Sequence, residues 1–150
     1  MKQNNLFQIL GFTLLELMMA LAIFSIISVI GFGTYQQYLY KSRRTDGQTS
    51  LISLQLAQEQ YRANCLQYAT TLASNSSCNT DDHYTLSASA ISPNHYYQLS
   101  IQSATSTNYI LTATAIGIQL GDSNCQTFSI DQAGNKSAQS SNGQIANDCW

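Results

Sequence analysis

Glu16 is the side chain whose placement most needs a chemical reason. It lies inside Phe12–Phe32, a run of 21 residues whose other polar side chains are Thr13, Ser25 and Ser28. As an α-helix rising 1.5 Å per residue, such a run is about 30 Å long, the thickness of a bilayer's hydrocarbon core. A carboxylate inside such a span costs on the order of 3 kcal/mol and marks a functional position by default. It needs a partner.

The second chemically capable set is Cys65, Cys78, Cys125 and Cys149. No two are spaced C-x-x-C, which argues against a zinc ribbon or a thioredoxin-like site. An even count downstream of an export-like segment reads as two disulfides in an oxidising compartment. Three connectivities are possible, and the local pairs Cys65–Cys78 and Cys125–Cys149 are the expected ones. Closing loops of that size is worth on the order of 3 kcal/mol each in the chain-entropy model. A core built from the residues after Cys65 is small and gains much from such staples.

No catalytic set accompanies them. Serines are abundant, but there is no G-x-S-x-G elbow, P-loop or G-x-G-x-x-G. His83 and His95 lack spaced partners. Asp81-Asp82-His83 has the residue types of a metal site, but reads as a solvated loop. The sequence therefore predicts no enzyme, no cofactor and no metal. Charged residues make up 9% of the chain, against roughly 25% in ordinary soluble domains. Hydroxyls and amides must solvate the surface instead, which suits an exported head. From Cys65 onward one cation, Lys136, faces Asp81, Asp82, Asp122, Asp131 and Asp148. Phosphate contacts need Lys and Arg, so this count predicts no direct nucleic-acid binding by the head.

The elements that must position these residues follow from periodicity. The apolar run has no proline and no turn after it, and Lys41, Arg43 and Arg44 form a basic cluster. Ser50–Tyr68 is helical in pattern with two opposed stripes: Leu51, Leu54, Ala57, Tyr61 and Cys65 on one side, Ile52, Leu56 and Ala63 on the other. Gln55, Gln58 and Arg62 fall on a polar flank. One stripe suits this chain's own sheet and the other a partner. A helix from Phe12 to about Asn64 would be roughly 80 Å long. Gly31, Gly33 and Gly47 are its weak points, since helix-interior glycine costs on the order of 1 kcal/mol. Residues 66–83 read as a loop. Strand patterns follow at 84–88, 97–102, 109–116 and 126–130, giving an antiparallel sheet of about four strands. Lys136–Asp148 reads as irregular, with Trp150 packing on the disulfide loop.

The string Gly11-Phe12-Thr13-Leu14-Leu15-Glu16-Leu17-Met18 resembles the signature of type IV pilin precursors and pseudopilins. The ending, Cys125-Gln126-Thr127-Phe128-Ser129-Ile130-Asp131-Gln132-Ala133-Gly134 leading to Asp148-Cys149-Trp150, is similar to minor pilins of the PilE kind. That resemblance implies cleavage between Gly11 and Phe12 by a prepilin peptidase and N-methylation of Phe12. It gives Glu16 its partner: the new amine of Phe12, in the same chain or a neighbour. It implies an α+β pilin fold, a long N-terminal helix on a roughly four-stranded antiparallel sheet with a C-terminal disulfide-bounded loop. The divisions are a leader over 1–11, the helix over 12–64 and a head over 65–150. Where many type IV pilins carry proline, this chain has Gly33.

The expected function is a structural, minor subunit of a type IV pilus, serving pilus biogenesis, twitching motility, adhesion or DNA uptake. Its partners would be the prepilin peptidase, other pilin subunits and the inner-membrane assembly machinery. It would rest in the inner membrane with its head in the periplasm, then enter an extracellular pilus. That orientation comes from the resemblance, because Lys2 is the leader's one charged side chain while Lys41, Arg43 and Arg44 lie beyond the run, against the positive-inside rule. The alternatives are a type II secretion pseudopilin and a membrane-anchored periplasmic binding module. A secretory signal cut near Ala20-Leu21-Ala22 fits poorly, because the apolar run continues ten residues past it.

Overall fold

A computed structural model describes residues 11–78 and 84–150. The chain divides into a unit up to Gln37 and a unit from Tyr38 to Trp150. The first is helical from Leu14 onward. Among the described side chains the apolar ones are exposed: Phe12 is 83% exposed, Leu14 76% and Phe24 70%. Ser25 and Ser28 return their hydroxyls to the carbonyls of Ala22 and Phe24, leaving little polar surface along the run. Among the described residues no single helix qualifies by itself as a membrane span; the stretches Leu14–Ser28 and Gly33–Asn64 together do, by length and composition.

The second unit takes up the C-terminal part of the same helix, α1 (Leu14–Asn64), and seven strands. Four form an antiparallel sheet in the order β4 (Tyr97–Ala104), β5 (Tyr109–Ala115), β6 (Thr127–Asp131), β7 (Lys136–Gln139). Alternation sets its faces. Tyr97, Leu99, Leu111, Ala113, Phe128, Ile130 and Ala138 point to the core and are buried. Across the other face run rows of hydroxyls and amides, such as Ser100, Thr112, Ser129 and Ser137 in register. A bulge lies between Ile101 and Ser103 in β4.

The sheet meets the first of the two expected helix stripes. Leu51, Leu54, Tyr61 and Cys65 are at most 7% exposed. Ile52 at 48% and Leu56 at 60% face away. Gly47 belongs to the buried face. A Cβ there would lie 2.8 Å from Cγ and 2.9 Å from Cδ2 of Tyr97, itself fully buried. Its glycine is explained by close approach, and the chain remains helical through it.

Three details differ from the sequence reading. The strand at 84–87 is not in the main sheet. It is β3 (Tyr84–Ser87), pairing parallel with β1 (Thr71–Ala73) and antiparallel with β2 (Ser77–Cys78). The expected loop over 66–83 thus contains two short strands. The fourth strand of the main sheet is β7, inside the stretch expected to be irregular. Its sequence, Lys-Ser-Ala-Gln, has one apolar residue, Ala138, and the turn before it sets its register. Asp131 Oδ1 accepts from the backbone amides of Ala133 and Asn135, and Oδ2 from Asn135 Nδ2. Gly134 at φ 80° closes this turn.

Gly47→Ala tests the close approach. Alanine gains about 1 kcal/mol of helix propensity, but overpacking a rigid core costs about 1–3 kcal/mol. The expected result is a lower midpoint for thermal unfolding of the head, while Gly33→Ala, with open space around its site, leaves it unchanged.

Candidate functional site

The N-terminal site is set by a helix cap. Gly11, Phe12 and Thr13 are outside regular structure and exposed. Thr13 ends this stretch: its Oγ1 accepts from the Glu16 amide at 3.2 Å and its carbonyl from the Leu17 amide at 3.1 Å. Thr13-x-x-Glu16 has capping-box spacing, and the threonine half of the box is made. The cap fixes Glu16 in the first turn, where the helix dipole favours a negative charge. Among the described residues its carboxylate has no partner. The leader residues Met1–Leu10, Lys2 among them, lie outside the described residues.

The head is clamped to α1 by polar contacts that the sequence reading did not find. Arg44 makes a two-pronged pair with Asp122, Nε to Oδ2 at 2.6 Å and Nη2 to Oδ1 at 2.9 Å. Both side chains are largely buried, 14% and 5% exposed. Gln58 was placed on a polar flank, yet it is fully buried. Its amide bonds both the carbonyl and the N–H of Ala69, at 2.9 and 3.0 Å, and so pins the chain leaving the helix. Glu59 accepts from the hydroxyls of Tyr68 and Tyr109.

The four cysteines form Cys65–Cys78 and Cys125–Cys149. The first ties the helix end to β2, where the Tyr61 hydroxyl also donates to the Ser77 carbonyl. The second closes the C-terminal loop. Trp150 packs edge-on against Phe128 at 5.5 Å and donates from Nε1 to the Ser137 carbonyl at 2.7 Å. It is half-buried and packs on the edge of the core at Phe128, next in sequence to Cys149 of the disulfide. The Asp81-Asp82-His83 segment lies outside the described residues. Among the described residues no cluster of His, Cys, Asp and Glu is placed to hold a metal.

The head's cations are distributed differently from the count begun at Cys65. Helix α1 carries Lys41, Arg43, Arg44 and Arg62 within the unit from Tyr38. Three cations lie over aromatic rings: Arg43 over Tyr96 at 5.0 Å, Arg62 over Tyr68 at 6.0 Å and Lys136 over Trp150 at 4.7 Å. Arg62 also donates to the carbonyls of Ser106 and Cys65, which holds it at the helix end.

Residues 9–32 match the prokaryotic N-terminal methylation motif. With the long helix, the four-stranded sheet and the Cys125–Cys149 loop, that match defines a type IV pilin precursor. Residues 33–129, more than half of the chain, match the family described as type IV minor pilin ComP, DNA uptake sequence receptor. The chain belongs to this family of minor pilins, which are filament proteins rather than enzymes. No curated protein matches it individually. The family's description runs against the expectation that the head makes no nucleic-acid contact, and that expectation is corrected. Counting from Cys65 left out four cations that the helix carries.

The buried tyrosines give the head a pH limit. Burial raises the Tyr97 phenol from 10.0 to about 12. Burial also raises Tyr109, reinforced by its hydrogen bond to Glu59. A group raised in the fold contributes stability that is complete below its unfolded value and lost as pH rises through its folded value. The head should therefore lose stability progressively above pH 10, with ionisation of the buried tyrosines and loss of near-ultraviolet dichroism coinciding. Ionisation completed near 10 with the fold intact would contradict the burial assignment.

Proposed function

We propose that the mature protein begins at Phe12 and is a subunit of a type IV filament whose head contacts DNA. The observation that carries this reading is the pairing, in one chain, of a methylation motif over residues 9–32 with a minor-pilin family match over 33–129. In this reading Met1–Gly11 is the leader. Gly11–Phe12 is an accessible bond because both residues precede the helix. Cutting it creates a cation, methylated in the mature protein, one turn before Glu16. Two opposite charges in low dielectric attract far more strongly than in water, so a Glu16 in the bilayer selects a neighbour whose Phe12 amine is at the same depth. The exposed apolar run and the outer stripe of Ile52 and Leu56 then bury against other subunits.

Glu16→Ala removes that selection while leaving the peptide bond and the Thr13 cap in place. Processing should continue, shown by the mature mass, while incorporation into sheared filaments falls steeply. Normal incorporation would remove the role given to Glu16.

The DNA reading rests on the family's description and on the cation–aromatic pairs. Arg62 keeps Nη2 outside its two carbonyl bonds and can meet a phosphate while Tyr68 supports its plane. With so few cations the affinity should be modest and its salt slope shallow, about one unit per phosphate contacted. Arg62→Ala in the full processed chain should weaken duplex binding and reduce that slope by about one. An unchanged slope would place the contact elsewhere.

A further inference from the structure

The two disulfides differ in what covers them. Cys125 is 2% exposed and Cys149 4%. The chain around them is tied down: the Cys125 amide donates to the Asp122 carbonyl at 3.2 Å, and Gln48 Nε2 donates to the Cys149 carbonyl at 2.8 Å. A polar cavity lined by Arg44, Asn124 and Asp148 adjoins this bond, but both cysteines remain buried. In Cys65–Cys78 the two halves are unlike. Cys65, just past the end of α1, is buried, whereas Cys78, at the end of β2, is exposed. Thiol–disulfide exchange requires a thiolate to reach one sulfur of the bond, so access decides which bond and which sulfur reacts. Of the four cysteines, Cys78 alone stands in solvent.

What the Cys65–Cys78 bond restrains is equally uneven. Residues 66–73 have their own hold on the head. Tyr68 is buried, and its amide donates to the Thr105 carbonyl at 3.1 Å. Ala69 is fully buried and is bonded twice by Gln58. The Thr70 amide donates to the Tyr84 carbonyl at 2.8 Å, and β1 pairs along β3. Residues 74–78, in contrast, are all exposed. Their ties to β3 include three surface hydrogen bonds: the Ser74 carbonyl accepts from the Ser87 hydroxyl, the Asn75 carbonyl from the Thr85 hydroxyl and the Ser76 hydroxyl from the Ser87 amide. The Tyr61 hydroxyl donates to the Ser77 carbonyl. Hydrogen bonds open to water add little, because water replaces them when they break. With no side chain of 74–78 in the core, the covalent link at Cys78 is the main restraint on this segment.

We propose that Cys65–Cys78 is a thiol-exchange latch over residues 74–78, opened by a dithiol reductant. One thiolate of the reductant attacks Cys78 Sγ and forms a new sulfur–sulfur bond there. The electron pair of the old bond leaves on Cys65 Sγ, which takes a proton from water. The reductant's second thiol, losing its proton, then attacks its own bound sulfur and releases Cys78 as a thiolate, which is protonated in turn. Two cysteine thiols remain in the protein and one disulfide in the reductant, so two electrons have passed to the protein. Opening the latch frees 74–78 and bares the edge of β3 that β2 covers. Cys125–Cys149 and the main sheet stay as they are, so the change is a local unfolding and not a global one.

The test uses the full oxidised chain in detergent micelles, treated with dithiothreitol over a time course. Free thiols are blocked with N-ethylmaleimide at each time and located by peptide mass. Cys65 and Cys78 should be labelled together, faster than Cys125 and Cys149 by roughly tenfold or more. With glutathione in place of dithiothreitol, the mixed disulfide should be found on Cys78. Hydrogen exchange over 74–78 should rise when the bond opens, with exchange in β4–β7 and near-ultraviolet dichroism unchanged. Equal or faster labelling of Cys125 and Cys149 overturns the latch, as does a mixed disulfide on Cys65. Unchanged exchange over 74–78, or loss of the head's dichroism on opening, overturns it as well.

Discussion

One face of one helix carries the head. Leu51, Leu54 and Tyr61 of α1 enter the core, Gly47 lets the ring of Tyr97 approach, and Gln58 bonds the chain that leaves the helix. The same helix begins with a run that is apolar on every side. Its sequence therefore answers to two demands, a folded core at one end and an exposed apolar run at the other. The small core explains the rest of the head's construction. Two disulfides tie down the helix end and the C-terminal loop, and the buried Arg44–Asp122 pair fixes the β5–β6 connection to the helix. Breaking a buried pair by removing one partner is strongly destabilising, because the remaining charge is left without compensation. The pair thus specifies where the connection docks, whatever its net contribution to stability.

The long helix, the two stripes and three of the four strands of the main sheet were legible from periodicity. Leu51, Leu54 and Tyr61 repeat at helical spacing, and Tyr97, Leu99, Tyr109, Leu111, Phe128 and Ile130 alternate. Membership of the sheet was less legible. Tyr84–Ser87 alternates as well as any strand, yet pairs with β1 and β2, because alternation reports that one face is buried and not which neighbour is bonded. β7 was hidden by its composition. Lys136–Gln139 has one inward apolar residue, and the Asp131–Asn135 turn together with pairing to β6 determines it.

The candidate site divides in the same way. Glu16 stood out because its environment is extreme, a carboxylate in an apolar run. Gln58 and Gln119 did not, because an amide among many amides carries no signal until its burial is known. Charge was misleading for a different reason. Counting cations after Cys65 treated the helix as separate from the head, whereas α1 supplies Lys41, Arg43, Arg44 and Arg62 to the same unit. Arg44 is then withdrawn into its pair with Asp122, and Arg43, Arg62 and Lys136 are supported on aromatic faces. Where a cation lies, and what holds it, matters more here than the sum.

In the proposed reading the Gly11–Phe12 bond separates a leader from a mature subunit. A carboxylate in an apolar run, a threonine cap that leaves the preceding residues outside the helix, and a match to the methylation motif all support it. Intact-mass and N-terminal fragment spectra of the protein recovered from its native host test this most directly. The expected product is a chain that starts at Phe12 and carries a methyl group on its amine. A chain that retains Met1, or that starts after Ala22, would contradict it.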